Sequence, residues 1–522
     1  MTCYEHAIAL APGSVDILYN LGNICQDLGR TERAIAFFER ALRLRPDAIE
    51  LHNNLGTALQ SVGRLDEAIT CYRGALALRP DTVETLDNLA GALQARGQLD
   101  EAQVCYERAL ALRPKRVESH IGLGVVLRAQ GRLEEAVVRY QRALALAPDR
   151  PETHNNLGVA LVDLGRLDEA IAHHERALGV QPAGAEMHYN LGSALQRQGR
   201  YAEALACYGR ALALKPNYAR AHLNRSLVLL LTGKLDEGWP EYEWRFAVNG
   251  HHRNFDRPLW SGKPLLGQRI LVHAEQGFGD TLQFIRFVPA IAECGASVVL
   301  EVPASLVRLA RTVAGASQVV AAGDPLPAFD CHCPLLSLPR VLKTNLGTIP
   351  NAVPYLSVPA EAEAEAVWAE RVATAPGLRV GIAWAGTTQG AIDLRLLQPL
   401  WEISGISWFG LQVGAESRAP ASLDGVKIVD LAPWLTDFAE TAAAIRHLDL
   451  VISVDTSVAH LAGALGRQTW VLLPHVPDWR WLLDRDDSPW YPTARLFRRR
   501  RADDWPGMAH EVAAALAQIS PG

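Results

Sequence analysis

Two short loops in the second half of the chain carry residues suited to binding an anion and moving a proton. The first, EQGFGD (275–280), follows the apolar run ILVHA (270–274) and opens a helical pattern. The second, SVDTSVAHLAGALG (453–466), overlaps the end of the apolar run LVISV (450–454). A helix that begins directly after a strand presents unpaired N–H donors, which favour phosphate. The two loops therefore predict a site for a phosphate-bearing ligand if the fold brings them together.

The first loop offers glycines and one carboxylate. Gly277 and Gly279 let the backbone pass close to a ligand, and Asp280 stands at the start of the helix. As an N-cap, Asp280 would contribute about 1 kcal/mol to helix stability. As a carboxylate facing a cleft, it would act as a general base. The sequence leaves both roles open.

The second loop offers a helix start and a histidine. Asp455, Thr456 and Ser457 begin a helix, so that backbone amides near Ser457 would point at an incoming anion. Dipole and hydrogen bonds together would contribute on the order of 1–2 kcal/mol to holding a diphosphate there. His460 lies one turn further on and could reach a phosphate or a sugar.

The elements around these loops follow an alternating pattern. Short apolar runs alternate with helical patterns, which is typical of βα units and parallel sheets. A helical stretch at 360–375 divides the runs into two groups, so we expect two Rossmann-like lobes of α/β type with a cleft between them. Ligands of such sheets bind outside the carboxyl ends of the strands, where both loops lie. The runs are ILVHA (270–274), SVVLEV (297–302), RVGIAWA (379–385), SWFGLQV (407–413), LVISV (450–454) and TWVLL (469–473).

The first half of the chain is a repeat with a period of 34 residues. One column of the repeat is proline: Pro12, Pro46, Pro80, Pro114, Pro148, Pro182 and Pro216. A second column is glycine: Gly29, Gly63, Gly97, Gly131, Gly165, Gly199 and Gly233. Each unit holds two helical patterns, the first ended by the glycine and the second by the proline. A single hairpin cannot bury its apolar face, so the units must stack into an α-solenoid with a concave surface.

An asparagine column runs through these repeats, with Gly122 as its one exception. Asparagine costs several tenths of a kcal/mol inside a helix relative to alanine, so its amide needs a partner. Either the amides bond between repeats, or the column was simply retained after duplication of the repeat, or the amides line the concave face and bind the backbone of an extended peptide. A parallel column of histidines indicates packing. The asparagines are Asn20, Asn54, Asn88, Asn156, Asn190 and Asn224.

The repeats resemble the tetratricopeptide repeat (TPR), and their asparagine column is similar to that of the protein O-GlcNAc transferases. The two loops resemble the paired signatures of GT-B glycosyltransferases of the heptosyltransferase type. The whole chain therefore resembles bacterial TPR glycosyltransferases, including those that modify flagellin. The resemblance implies transfer of a sugar from a nucleotide-sugar donor, with no metal and no other cofactor.

The resemblance also implies roles for individual residues. Asp280 is the catalytic base, and Asp455 through Ser457 with His460 hold the phosphates of the donor. Such lobes carry a basic residue in the loop after the first strand of the second lobe, and here that loop (384–395) offers only Arg395 at its end. Arg480 in the segment PDWRW (477–481) is the alternative cation for the departing diphosphate.

The resulting domain prediction has four parts: a TPR superhelix at 1–248, made of a partial repeat and about seven repeats; a linker at 249–268; a first Rossmann-like lobe at 269–359 on the acceptor side; and a second lobe at 360–522 on the nucleotide-sugar side. The first repeat begins inside a helix at Thr2, so this end could pair with a second copy of the chain.

Composition excludes several other classes of protein. With 51 Lys and Arg against 57 Asp and Glu, the net charge of −6 opposes nucleic-acid binding. The apolar runs are far shorter than the ~20 residues of a membrane helix, and no secretory signal opens the chain, so a cytoplasmic protein is expected. Eight cysteines do not form a disulfide framework, and Cys331-His332-Cys333 lacks metal-site spacing.

Three functions remain at this level. The leading one is an inverting glycosyltransferase that acts on a Ser or Thr hydroxyl of a protein held in the repeat groove. A second is an interaction scaffold with an inactive lobe, suggested by the missing basic residue in the 384–395 loop. A third is a dinucleotide-dependent oxidoreductase, suggested by Gly277-x-Gly279 and by Glu301 about 20 residues further on, although Leu282 occupies the third glycine position.

Overall fold

The computed structural model describes residues 11, 13–250, 253–360, 365–386, 390–414, 426–501 and 504–520. The predicted partial repeat at Thr2, the Pro12 position and parts of the linker (251–252), of the 360–375 helix (361–364) and of the 384–395 loop (387–389) lie outside these residues. The chain divides into two compact units, Met1–Pro216 and Asn217–Gly522. The sequence had put the end of the repeats at 248, whereas the structure groups the last repeat hairpin with the α/β part.

The first unit is the solenoid that the period predicts. Each repeat is a pair of antiparallel helices, and the glycine between the two helices has a φ between +69° and +82°. Glycine reaches this left-handed conformation without the steric cost that a Cβ imposes. The helices of the described part are Val15–Asp27, Thr31–Leu44, Ile49–Ser61, Leu65–Leu78, Val83–Ala95, Leu99–Leu112, Val117–Ala129, Leu133–Leu146, Pro151–Asp163, Leu167–Val180, Ala185–Arg197 and Tyr201–Leu214.

A glycine and an aromatic ring form the centre of each repeat. A Cβ on Gly56 would lie 2.6 Å from Cε1 of Tyr72, so only glycine leaves room for the ring. One repeat departs from this arrangement because Ala90 stands where the glycine should be. There the ring of Tyr106 lies against Gly122 of the following repeat, where a Cβ would be 2.5 Å from its Cε1. The interruption of the asparagine column at Gly122 therefore has a packing cause.

The histidine column has the packing role that the sequence predicts. In the first unit, each described histidine of the column places its Nε2 2.9–3.0 Å from the carbonyl oxygen of the proline six residues earlier. This bond ties the start of one repeat to the loop that precedes it and satisfies a carbonyl near the end of a helix. The histidines are His52, His120, His154 and His188.

The second unit begins with helices Ala219–Leu231, Leu235–Tyr242 and Arg245–Asn249. They are joined to the α/β part by buried side chains. Trp239 donates its indole N–H to the carbonyl of Thr344 at 3.0 Å. Arg245 is 2% exposed and pairs with the buried carboxylate of Glu275 at 2.7 Å. A buried charge of this kind needs its partner, so the helices and the 275–280 loop hold each other in place.

Two parallel sheets form the α/β part, as expected for two Rossmann-like lobes. The first has the order β3-β2-β1-β4 and the second the order β12-β11-β10-β5-β8-β9, with a separate antiparallel pair β6-β7. The short strand β4, which contains Cys331 and Cys333, is fully buried. The strands are β1 Arg269–His273, β2 Ser297–Val302, β3 Ala316–Ala321, β4 Cys331–Pro334, β5 Leu378–Ala383, β6 Ala385–Gly386, β7 Gly390–Ala391, β8 Ile406–Gly410, β9 Ile428–Asp430, β10 Leu450–Val454, β11 Thr469–Leu473 and β12 Ala494–Arg498.

Helices connect these strands, and the two that follow the signature loops matter most for the site. Phe278–Phe284 follows β1, and Ser457–Ala464 follows β10. The remaining α-helices of the described residues are Val288–Glu293, Val307–Ala310, Leu338–Val341, Glu365–Trp368, Gln398–Trp401, Phe438–Arg446 and Trp505–Ala517.

Candidate functional site

A cavity of about 690 Å³ lies in the second unit, outside the carboxyl ends of β1 and β10. Both signature loops contribute to its wall, together with the last repeat hairpin and the segment after β11. It is lined by Leu227, Tyr242, Gln276, Gly277, Phe278, Gly279, Asp280, Ala385, Gly386, Gln412, Asp455, Thr456, Ser457, His460, Asp478, Trp479 and Arg480. The fold thus brings together the residues that the sequence singled out on two separate loops.

Direct packing of the two signature helices brings the loops together. Helix Phe278–Phe284 contacts helix Ser457–Ala464. At their contact, a Cβ on Gly279 would lie 2.9 Å from Cδ2 of His460. The sequence predicts that Gly279 lets a ligand approach the backbone. The structure adds a second reason for glycine at this position, because the two helices could not meet here with a larger residue.

The carboxylate of Asp280 is held on both sides. Its Oδ2 accepts the backbone N–H of Gly277 at 3.0 Å, and its Oδ1 is ion-paired with Arg480. The N-cap of the helix is Gly277, so the N-cap interpretation of Asp280 is wrong. Asp280 is instead the third helical residue, where a carboxylate can accept the N–H of the capping residue. Its side chain is 17% exposed and lines the cavity.

Arg480 is the central cation of the site. Its Nε donates to Oε1 of Gln283 at 2.9 Å, its Nη1 to Oδ1 of Asp478 at 2.7 Å, and its Nη2 to Asp280. Asp478 also accepts the backbone N–H of Arg480 and caps the short turn Trp479–Trp481, which fixes the direction of the guanidinium. Among the described lining residues, Arg480 alone carries a permanent positive charge.

Arg395, the other predicted cation, is not at the site. Its side chain is 75% exposed and pairs with Asp393 at 2.7 Å, and it does not line the cavity. Asp393 caps the turn Leu394–Leu397 and accepts from both the backbone and the side chain of Arg395. This local pairing keeps the guanidinium at the surface, so we withdraw Arg395 as a donor-binding residue.

Thr456 is the N-cap of the second signature helix. Its Oγ1 accepts the N–H of Val458 at 3.2 Å and lies 2.9 Å from Oγ of Ser453. The cap holds Ser457 at the first helical position, beside the cavity. The helix start that the sequence predicts is therefore present, with Asp455 directly before the cap.

His460 is a buried, neutral ring. It is 4% exposed, stacks on Trp481 with the ring centroids 5.4 Å apart, and places its Nδ1 2.8 Å from the hydroxyl of Tyr491. Burial and the charge of Arg480 hold its pKa well below the ordinary value. A neutral imidazole can supply a hydrogen bond to a ligand but adds no positive charge to the cavity.

Asp455 is a largely buried carboxyl of the site, and its pKa is raised. Its side chain is 9% exposed. Burial, and then the charge of Asp478, raise its pKa from 3.8 to about 7, against the opposing effect of Arg480. A carboxyl that is partly protonated at neutral pH is able to donate as well as accept a hydrogen bond. The sequence predicts a role for Asp455 in phosphate binding, but it does not indicate whether the carboxyl is protonated.

Other residues line the cavity although the sequence gave them no role, among them Leu227, Tyr242, Gln412 and Asp478. Asp478 stands two residues before Arg480, and this spacing was a usable signal. Leu227 and Tyr242 had no such signal, since they belong to the repeat pattern and reach the cavity only through the docking of the last hairpin. Within the described residues, no group of three or more His, Cys, Asp or Glu side chains is arranged to hold a metal ion.

The asparagine column is half-buried, and two of its members bond between repeats. Nδ2 of Asn54 donates to Oδ1 of Asn23 at 2.9 Å, and Nδ2 of Asn190 donates to Oδ1 of Asn155 at 3.0 Å. At these two positions the structure has the bonding between repeats that was one of the interpretations. The half-buried side chains are those of Asn20, Asn54, Asn88, Asn156, Asn190 and Asn224.

Family models match both halves of the chain. The model described as glycosyltransferase family 9 (heptosyltransferase) matches residues 412–472, which include the second signature loop. Models of the tetratricopeptide repeat match residues 15–48, 47–115, 124–165, 158–199 and 185–218. The first half of the chain thus carries tetratricopeptide repeats, and residues 412–472 are similar to glycosyltransferase family 9.

One curated protein similar to this chain is Protein FlbA of Caulobacter vibrioides. The two are 30% identical over 328 residues, which is 56% of this chain and 54% of FlbA. The chain thus spans about half the length of the curated relative that it matches.

Two of the solved structures similar to the chain are described as TPR proteins. TTC0263 of Thermus thermophilus is 27% identical over 35% of this chain and 99% of its own, with a TM-score of 0.31. YrrB, described as a TPR protein with an unusual peptide-binding site, is 24% identical over 36% of this chain and 98% of its own, with a TM-score of 0.30. The described part of the chain contains no helix long and apolar enough to span a membrane.

Proposed function

We propose that the protein transfers a sugar from a nucleotide-sugar donor to a Ser or Thr hydroxyl of a protein acceptor, with inversion at the anomeric carbon and without a metal ion. The observation that carries the proposal is the convergence of the two signature loops and Arg480 on one cavity. That cavity is open to a ligand of nucleotide-sugar size, since binding pockets of about 300–1,000 Å³ are typical for small molecules.

The donor phosphates would lie at the start of helix Ser457–Ala464. The amides near Ser457 and the cap hydroxyl of Thr456 offer hydrogen bonds to phosphate oxygens. Arg480 would bind the diphosphate as it leaves with a growing negative charge, and two of its five N–H groups remain beyond the three bonds described above. A fixed guanidinium of this kind costs little reorganisation during the reaction.

Asp280 would be the general base. In the free protein its Oδ1 is engaged by Arg480. A bound diphosphate would compete for this guanidinium and so free Oδ1 to accept the proton of the acceptor hydroxyl as the oxygen attacks the sugar. The bond from Gly277 to Oδ2 would keep the carboxylate aimed into the cavity during this exchange.

The repeats would deliver the acceptor. Helix Ala219–Leu231 carries both Asn224, the last asparagine of the column, and Leu227, which lines the cavity one turn further on. An extended peptide held by Asn224 would therefore reach the cavity along this helix. Holding the acceptor in this way raises its effective concentration at the site.

The Asp280→Asn variant tests the proposal. We expect it to abolish sugar transfer, measured by intact mass spectrometry of candidate acceptors co-expressed with the protein, and to retain nucleotide binding in calorimetry. Asp324→Asn is the matched control, because Asp324 is exposed and does not line the cavity. Full transfer activity in Asp280→Asn would remove this carboxylate from the mechanism.

A catalytically inactive scaffold is the alternative function. The observation that favours it is the acidic lining, with Asp280, Asp455 and Asp478 around a single arginine. Calorimetry with a panel of nucleotides and nucleotide sugars separates the two functions. Binding of none of them would favour the scaffold, and binding of one would identify the donor nucleotide.

A further inference from the structure

The cavity has more carboxyls than cations in its described lining, which disfavours the binding of an anionic donor. Asp280, Asp455 and Asp478 face one permanent cation, Arg480, among the described lining residues. If all three carboxyls were ionised, a diphosphate would enter a cavity whose charged lining is already negative by two. Like charges that line one partly buried cavity disfavour one another, which favours the uptake of a proton by one of the carboxyls.

Of the three carboxyls, Asp455 has the least positive charge bonded to it. Arg480 is bonded directly to Asp478 and to Asp280. Nε2 of His460 lies 3.8 Å from Oδ1 of Asp455, too far for a hydrogen bond, and belongs to a neutral ring. The indole of Trp481 also acts on Asp455, but it is uncharged.

The groups around Asp455 act on its pKa in both directions: Asp478 and Asp280 raise it, whereas Arg480 and the indole of Trp481 lower it. The segment after β11 contributes Asp478 and Arg480, together with the indole of Trp481; the first signature helix contributes Asp280; its own helix contributes His460; and the repeat hairpin contributes the neutral phenol of Tyr242 to the same cavity. Burial and Asp478 together outweigh Arg480, and the pKa of Asp455 in the free protein is raised to about 7.

We propose that Asp455 binds the donor as a neutral carboxylic acid, and that the cavity therefore takes up a proton from solvent when a nucleotide diphosphate enters. The inference rests on the proposed function. The proton adds to the Asp455 carboxylate, whose O–H then donates a hydrogen bond to an anionic oxygen of the ligand, and no covalent bond is broken. The negative charge of the ligand holds this proton in place.

Calorimetry at pH 8 tests the inference. UDP, ADP, GDP and CDP are titrated into the full chain in Tris and in HEPES, whose ionisation enthalpies differ, so that the difference in heat gives the number of protons exchanged. The terminal phosphate is already ionised at this pH. Since about nine-tenths of a group with a pKa near 7 is ionised at pH 8, we expect an uptake approaching one proton per bound nucleotide, and a Kd that rises about tenfold for each further pH unit.

The Asp455→Asn variant removes the titrating group. We expect no proton uptake and a Kd that is independent of pH between 7.5 and 9, whereas the control Asp324→Asn behaves as the wild type does. Tight binding without uptake in the wild type overturns the inference, as does equal uptake by Asp455→Asn. If that variant does not fold, the pH dependence of the wild-type Kd decides alone, and a flat profile overturns the inference. Binding of none of the four nucleotides overturns the donor site and, with it, this inference.

Discussion

Restoring the missing asparagine of the column should destabilise the repeats unless a second residue is changed with it. In Gly122→Asn, the new Cβ would lie 2.5 Å from Cε1 of Tyr106, whose ring is only 6% exposed. Overpacking of this kind costs about 1–3 kcal/mol, and the higher helix propensity of asparagine over glycine returns only a few tenths. We therefore expect the free energy of unfolding to fall by about 2 kcal/mol.

The second change is Ala90→Gly. It opens the space that receives the ring in the other repeats, as Gly56 does for Tyr72. Alone, it should cost about 1 kcal/mol, because glycine is a poor helix former. In the double variant the ring of Tyr106 can turn onto position 90 and leave room for the asparagine introduced at position 122. The two changes should then be coupled by about 1.5–2 kcal/mol, within the range measured for residues that share a contact.

Urea denaturation of the full chain, followed by far-ultraviolet circular dichroism, measures the four stabilities of this double-mutant cycle. All 13 tryptophans of the chain lie at position 239 or later, so tryptophan fluorescence reports on the second unit separately and serves as the internal control. If the two losses of unfolding free energy simply add in the double variant, the ring of Tyr106 does not move to position 90, and the explanation of Gly122 is refuted. A stable Gly122→Asn single variant would refute it as well.

Three further predictions concern the second unit. Gly279→Ala should lower sugar transfer at least tenfold without unfolding the protein, because its Cβ would press on His460 and part the signature helices; unchanged kinetics would contradict this. Arg480→Met should weaken binding of a nucleoside diphosphate more than binding of the nucleoside in calorimetry, since it removes the cation at the phosphates; equal losses would remove that role. The contribution of Asp455 to the stability of the second unit should fall as pH rises from about 4 to 7, because the folded state holds a proton that the unfolded chain releases. It is measured by tryptophan fluorescence in urea as the difference between the wild type and Asp455→Asn, which should change by about 4 kcal/mol over this range because the contributions of the histidines and other carboxyls cancel in the difference; a difference that does not change with pH would contradict the prediction.

Local chemistry explains why the solenoid could be predicted from the sequence. The helix ends are set by Gly63 and Pro80 and their equivalents, and within the first unit each repeat packs on the repeats adjacent to it. The same 34-residue pattern therefore contains nearly all the information that its packing needs. The exception at Gly122 was visible in the sequence, but its cause was not. The size of residue 90 determines which of two neighbouring helices the ring of Tyr106 packs against, and that contact lies between distant residues.

For the candidate site, too, local patterns in the sequence predict one part and only the fold decides the rest. Sequence patterns found both signature loops, because a helix start after a buried strand depends on a few adjacent residues. They also offered Arg480 and Arg395 as alternative cations, and only the fold distinguished them: Arg395 pairs locally with Asp393, whereas Arg480 reaches Asp280 across 200 residues of chain.

The sequence by itself thus determined the repeat, the alternation of strands and helices, and the residue types at the two helix starts, since each depends on neighbours a few positions away. The tertiary structure alone decided that the last repeat hairpin belongs with the α/β unit, that Gly279 meets His460, and that the pKa of Asp455 is raised. These outcomes depend on contacts between distant segments and on the exclusion of water around a charge, and a local sequence pattern determines neither of them.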